Sequence, residues 1–326
     1  MKTEKSLVNL YQTFFPSREL ENEEASLRQS IVRVKETGID TLDEQVLGLY
    51  KKDPSFIEKQ ILQCIMDLNQ INVDIDYLSR YAQQLNATSI IGETDKLLFV
   101  DELMEYTMLS FFITIYSLEN NKSKENFERC FKNCFVLLDL QGEKHTIGSH
   151  NIQELEKMSR LPMHLMNLAT DTYWTAWTFL IGHELFHLTN ETEMPAYEEE
   201  MKADAYGYSV LIQMILAQKE NKIPEEIQVF HEYMYLSPIM LLEYYRLRDF
   251  YRELCGKEIQ KEIQYEDHPK PEERQDHLFE LFDTYVPDDM NTEEGNALLN
   301  IFLDNIDILR EQLRVKKKLG KLELRD

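Results

Sequence analysis

Residues 172–189 read TYWTAWTFLIGHELFHLT, and His183-Glu184-Leu185-Phe186-His187 within them is an HExxH sequence. Asp171 or Thr172 is suited to open a helix that runs through Trp174, Trp177, Leu180 and Ile181 towards Thr189. On a helix, histidines at i and i+4 stand on one face, about 6 Å apart along the axis. Both imidazoles then reach one tetrahedral Zn²⁺ at roughly 2.0–2.1 Å, while Glu184, one residue round the helix, sits beside the water that such an ion activates. The same pair also suits two histidines packed on an amphipathic face, so a third ligand has to be found downstream.

A catalytic zinc takes three protein ligands and keeps one position open. After the turn Thr189-Asn190-Glu191-Thr192-Glu193-Met194-Pro195 a second helix is expected, carrying Glu200-Met201-Lys202-Ala203-Asp204-Ala205-Tyr206-Gly207. Glu200 and Asp204 share a face at i and i+4, and Ala203 with Gly207 lets this helix approach the first closely. Glu200 is the expected third ligand. Asp204 is then placed to accept the other ring N–H of His183 or His187 and so fix its orientation. Asp204 as the ligand itself is the alternative. Glu198 and Glu199 lack an acidic partner one turn on, and Glu191 fits only if the first helix runs straight on.

HELFH followed by Glu200-xxx-Asp204 resembles a gluzincin, and specifically the HExxH plus ExxxD pattern of the CAAX prenyl protease and heat-shock membrane peptidase family. A third block, Asp267-His268-Pro269-Lys270-Pro271-Glu272-Glu273-Arg274, is similar to that family's His-Pro followed by Arg ahead of a helix. The resemblance spans roughly residues 172–280. It implies a zincin-like metallopeptidase, with His268 donating to the oxyanion of the tetrahedral intermediate and Arg274 holding the site together or assisting. Catalysis makes the same demand for a donor opposite the metal. The chain departs from the membrane members in lacking their transmembrane helices and in a much shorter gap from His187 to Glu200, so their substrate class does not transfer. In general form it also resembles short-gap soluble bacterial peptidases of phage exclusion and mobile-element immunity.

Composition outside these blocks agrees with a mainly α fold. Of 326 residues 43% are hydrophobic, ample for a core, and 10 Gly with 9 Pro are too few for a many-stranded sandwich or barrel. Asp plus Glu, 59, exceeds Lys plus Arg, 35, for a formal charge of -24, which repels a phosphate backbone and argues against nucleic-acid and anionic-membrane partners. The basic run from Arg310 to Arg325 suits the C-terminus of a helix. Cys64, Cys130, Cys134 and Cys255 are scattered, unlike a disulfide scaffold, and no signal peptide or stretch long enough to span a bilayer is visible, so a cytoplasmic protein is expected.

Residues 1–120 are expected to form an N-terminal helical region that covers the site, regulates it or selects substrate, with Ile57, Ile61, Leu62, Ile65 and Leu68 on one helix and Leu97, Leu98, Leu103, Met104, Met108 and Phe111 on another. Breaks are expected at Thr37-Gly38, Asp53-Pro54 and Ile91-Gly92, and a polar boundary at 120–124. Residues 121–290 would be the zincin-like domain, including a hairpin or small sheet near Cys134–Ile147, and residues 291–326 a C-terminal helix with the basic tail. His145, His150, His164, His231 and His277 have no partner at ligand spacing. Tyr233, Tyr235, Tyr244, Tyr245 and Tyr251 read as core and groove wall, with one hydroxyl able to reach an oxyanion. The expected function is zinc-dependent hydrolysis of a protein or peptide substrate, gated or defence-related; the alternative is a catalytically silent zincin fold that binds a partner.

Overall fold

The computed structural model describes residues 7–8, 55–80, 87–120, 163–255, 269–290 and 292–320. The hairpin expected near Cys134–Ile147, the breaks at Thr37-Gly38 and Asp53-Pro54, Cys130, most of the polar boundary and His268 lie outside the described residues. Helix dominates what is described, with one three-stranded sheet. No described helix is long and apolar enough to cross a membrane.

The described residues divide into two compact units: Met1–Met104 with His187–Thr189 and Ile223–Gln228, and Glu105–Phe186 with Asn190–Lys222 and Val229–Asp326. In the first, helix α1 (Phe56–Leu68) buries Ile61, Leu62 and Ile65, the face its periodicity predicts. Strands β1 (Asp76–Arg80), β2 (Ala87–Ile91) and β3 (Lys96–Asp101) follow, with β3 central, parallel to β1 and antiparallel to β2. Leu78, Leu97 and Phe99 form the sheet's buried cluster, packed by Leu7, Val8 and Ile90.

This sheet corrects the reading of Leu97 and Leu98 as helical. The helix starts only at Glu102, so the apparent 3.6-residue spacing ran across a strand–helix junction. Every residue from Leu97 to Asp101 is buried, as befits a central strand covered on both faces, and such a strand reads as a continuous apolar run without alternation. The break at Ile91-Gly92 is the β2–β3 turn, closed by the Gly92 N–H on the Asp95 carbonyl at 2.8 Å.

In the second unit, α2 (Glu102–Asn120) contributes Phe111, Phe112 and Tyr116 to an aromatic core with Tyr244 and Phe302. Helix α3 (Met163–Thr189) carries HExxH and begins earlier than expected. Thr172 is not a cap: its hydroxyl donates to the Leu168 carbonyl at 2.8 Å, four residues back within a running helix. Asp171 is no cap either; burial pushes its carboxyl up to about 7. Helices α4 (Ala196–Lys219), α5 (Ser237–Leu254), α6 (Pro271–Tyr285) and α7 (Thr292–Lys318) complete the unit. The three lysines of the basic run that close α7 lie in its last turn, where cations suit the helix dipole.

Candidate metal centre

Two glycines let α3 and α4 cross in contact. A Cβ on Gly182 would lie 2.8 Å from the Gly207 Cα, and one on Gly207 would lie 2.5 Å from the Phe179 carbonyl oxygen and 2.9 Å from the His183 nitrogen. The obstacles are backbone atoms that cannot turn aside, so only glycine permits this separation. The crossing sits one residue from His183 and three from Asp204, which is what brings the two helices' polar side chains together.

His183, His187 and Glu200 each offer one ligand atom, all within 4.8 Å of one another, and this group could hold a metal ion. The two histidines stand on one continuous helix, so their spacing is set by the helical repeat. His183 is buried, while His187 and Glu200 are half-buried. Glu200 Oε2 lies 3.3 Å from His183 Nε2. Asp204 does not join the ligand atoms. It lies behind His183, its Oδ1 2.9 Å from Nδ1. Glu191 is exposed beyond the end of α3, and Glu198 is an exposed residue paired with Lys202.

Asp204 is fully buried, and burial by itself would raise its carboxyl. The charge of Arg274 and the hydrogen bonds from His183 and Arg274 outweigh that and hold it well below the usual carboxylate range. Arg274, at the first turn of α6, grips it with two prongs, Nε to Oδ2 at 2.7 Å and Nη2 to Oδ1 at 2.5 Å. An ionised carboxylate only accepts, so His183 Nδ1 carries the proton that it donates. The lone pair of a neutral His183 is thereby assigned to Nε2, the atom that faces Glu200. In the metal-free protein burial would lower the imidazole's pKa, but the hydrogen bonds to Asp204 and Glu200 and the charge of Asp204 prevail and push it up to about 9.

Glu184 is buried, 8% exposed, on the same turn as His183. Its charge acts on Tyr245 of α5. Arg274, implied by resemblance alone at the sequence level, thus meets Asp204 rather than the ligand atoms. Pro271 opens α6, and the Glu273 carboxylate accepts the Lys270 N–H at 2.8 Å, closing the helix start that presents Arg274. Of the other described histidines, His164 is exposed, His231 stacks on Tyr233 at 5.3 Å, and His277 meets the Met201 carbonyl at 3.1 Å. None joins the cluster.

Two contributors escaped the sequence. Gly182 precedes His183 directly, and a glycine inside a helix facing a second one was the available signal. Lys96 at the start of β3 donates to the Leu188 carbonyl at 2.5 Å, filling an acceptor left open where α3 ends. No local pattern links residues 96 and 188. Searches against protein families, curated proteins and solved structures found no match for this chain.

Proposed function

We propose that the chain is a zinc-dependent peptidase that hydrolyses a peptide bond of a protein or peptide substrate. The observation that carries this reading is the convergence of His183, His187 and Glu200 within 4.8 Å, with Glu184 buried on the same helix. Two imidazoles and one carboxylate form a donor set suited to zinc that leaves a fourth position open. Zn²⁺ held there would supply a water of pKa near 7 and polarise the scissile carbonyl.

The chain's own residues do the rest. Asp204 holds His183 with Nε2 towards the ligand cluster, and Arg274 holds Asp204 ionised. Glu184 accepts a proton from the attacking water and returns it to the leaving nitrogen, acting as base and then acid. By the earlier resemblance, His268 donates to the developing oxyanion. Scattered cysteines fit action in the reducing cytoplasm, and an excess of 59 acidic over 35 basic residues fits a protein rather than a nucleic-acid target.

The test is metal analysis with a catalytic knockout. One zinc per chain is expected, and Glu184→Gln retains it while losing hydrolysis by about 10²–10⁴-fold. Cleavage products found in cells with the wild type and missing with Glu184→Gln identify the substrate. A chain that purifies without zinc and cannot be loaded with it, or one whose Glu184→Gln form cleaves as well as wild type, overturns the reading. A zinc-loaded chain for which no cleavage distinguishes the two forms would instead be a silent zincin-like binding protein.

A further inference from the structure

A cavity of about 520 Å³ opens among α5, the start of α6 and α7. Its volume is that of a small-molecule site, and none of its lining residues belongs to α3 or α4, the helices that carry the candidate metal ligands. Arg246, Asp249, Phe250 and Glu253 line it from one face of α5, at i, i+3, i+4 and i+7. Asp307, Arg310 and Arg314 line it from one face of α7, at i, i+3 and i+7. Lys270 and Glu272 close it at the start of α6. Phe250 supplies an apolar wall, with the Arg314 guanidinium 5.2 Å from its ring centroid.

The charges of this cavity are sorted by depth. Arg246 and Arg310 lie deepest, their side chains 28% and 20% exposed, and the buried Glu243 carboxylate holds both from behind. Glu272 and Asp307, 54% and 76% exposed, stand nearer to solvent, together with the exposed Glu253. The two inner guanidiniums keep donors in reserve. Arg246 engages Glu272, Glu243 and Gln275 through Nε and Nη1, and Arg310 engages Asp307 and Glu243 through Nη1 and Nη2. Among the described residues, Arg246 Nη2 and Arg310 Nε make no hydrogen bond. The cations Arg246, Lys270, Arg310 and Arg314 are matched by the carboxylates Asp249, Glu253, Glu272 and Asp307, in a chain with 59 acidic and 35 basic residues. A ligand of one charge is attracted by one layer of such a site and repelled by the other, whereas a ligand with both charges at opposite ends satisfies the two. We propose that the cavity binds a short peptide with free termini, its carboxylate on Arg246 and Arg310, an apolar side chain against Phe250, and its ammonium group at Glu253 and Asp307. This site does not require the metal centre.

The test is calorimetric titration of the full chain, in chelator and again with zinc, against the dipeptide glycyl-phenylalanine. Beside it stand the N-acetylated dipeptide, which lacks the ammonium group, and the dipeptide amide, which lacks the carboxylate. The free dipeptide is expected to bind about 10–100-fold more tightly than either blocked form, as the loss of a hydrogen bond to a charged group dictates. Glu253→Gln, an exposed change outside the Glu243 network, should weaken the dipeptide about tenfold and leave the acetylated form as in wild type. Arg310→Gln should weaken the dipeptide and the acetylated form alike; should that variant fold poorly, Glu253→Gln still decides. Three ligands of equal affinity, no binding of the dipeptide in chelator, or a Glu253→Gln form that binds all three as wild type does, each overturns the proposal. So does adenosine monophosphate or inorganic phosphate binding more tightly than the dipeptide, which would make this an anion site, and so does free phenylalanine binding as tightly as the dipeptide. Binding of the dipeptide only when zinc is present would place it at the metal centre, overturning this proposal and leaving the peptidase reading intact.

Discussion

Asp204 and Glu243 are both carboxylates buried in the helical unit, at 0% and 2% exposure, and both are held by guanidinium groups. Around Glu243 the arrangement is closed. Arg246 of α5 reaches Oε1, Arg310 of α7 reaches Oε2 at 2.7 Å, and Gln275 of α6 donates to Oε1 at 3.1 Å. Each partner belongs to the scaffold, and the network ties three helices together. Around Asp204 the arrangement is open on one side: Arg274 supplies two bonds, and the remaining one goes to His183, whose other ring nitrogen faces Glu200. One buried charge therefore serves the packing of helices. The other passes its influence, through an imidazole, to a cluster that could hold a metal.

That difference sets the largest expected effects. Removing either carboxylate strands guanidinium groups, at about 3 kcal/mol, the lower end for a broken buried pair, since Arg246, Arg310 and Arg274 all retain some contact with water. Chemical denaturation should find both Glu243→Ala and Asp204→Ala destabilised to this degree. Zinc titration should separate them. Asp204→Ala is expected to lose about 10–100-fold in zinc affinity, the usual consequence of removing the partner of a ligating histidine, while Glu243→Ala keeps the wild-type value. Equal loss of zinc affinity in the two variants would mean that Asp204 acts only through stability.

Much of this open arrangement was legible in the sequence because it is built from helical repeats. His183 and His187 at i and i+4, and Glu200 and Asp204 at i and i+4, need only the two helices to form. The mainly helical character was legible for the same reason, from periodicity and a shortage of Gly and Pro. The sheet was not. Leu97 and Leu98 sit in a central strand whose uniform burial erases the alternation that betrays a strand, and the helix after it begins without a gap. The closed network was invisible too, since Glu243, Gln275 and Arg310 are brought together only by tertiary packing.

The glycine crossing gives the next effect. Gly207→Ala places a methyl against the Phe179 carbonyl and the His183 nitrogen, and overpacking of this kind costs about 1–3 kcal/mol as the helices part. Parting moves Asp204 and Glu200 away from His183, so zinc affinity should fall together with thermal stability. The Glu243 network depends on α5, α6 and α7 and should keep its contacts. Hydrogen exchange that slows or quickens equally at both places would argue against this local account.

A smaller effect comes from protons. In the metal-free protein the His183 imidazolium, stabilised by Asp204 and Glu200, contributes stability that is present below the ordinary histidine pKa and is lost as pH rises through about 9. Zinc requires the neutral ring, so the metal displaces that proton. Apparent zinc affinity should therefore rise about tenfold per pH unit towards 9 and level off beyond, with a proton released on binding; a flat profile between pH 6 and 9 would contradict the assignment of His183 as a ligand. Asp204 acts in the opposite sense. Its lowered pKa gives stability that is present above the ordinary carboxylate range and lost as pH falls below it.

The smallest effect is the control for all of these. Lys202 pairs with Glu198 at 2.7 Å, a shorter separation than Asp204 keeps from His183, yet the two side chains are 51% and 53% exposed. In water the attraction between them is screened, and holding two long side chains in one geometry costs entropy. Lys202→Ala should change stability by less than about 0.5 kcal/mol and leave zinc affinity alone, although it lies on α4 between Glu200 and Asp204. If it instead weakened zinc binding as Asp204→Ala does, charge on this helix would act at a distance and without burial. The contrast between Asp204 and Glu243 would then owe less to their contacts than to the summed field of α4.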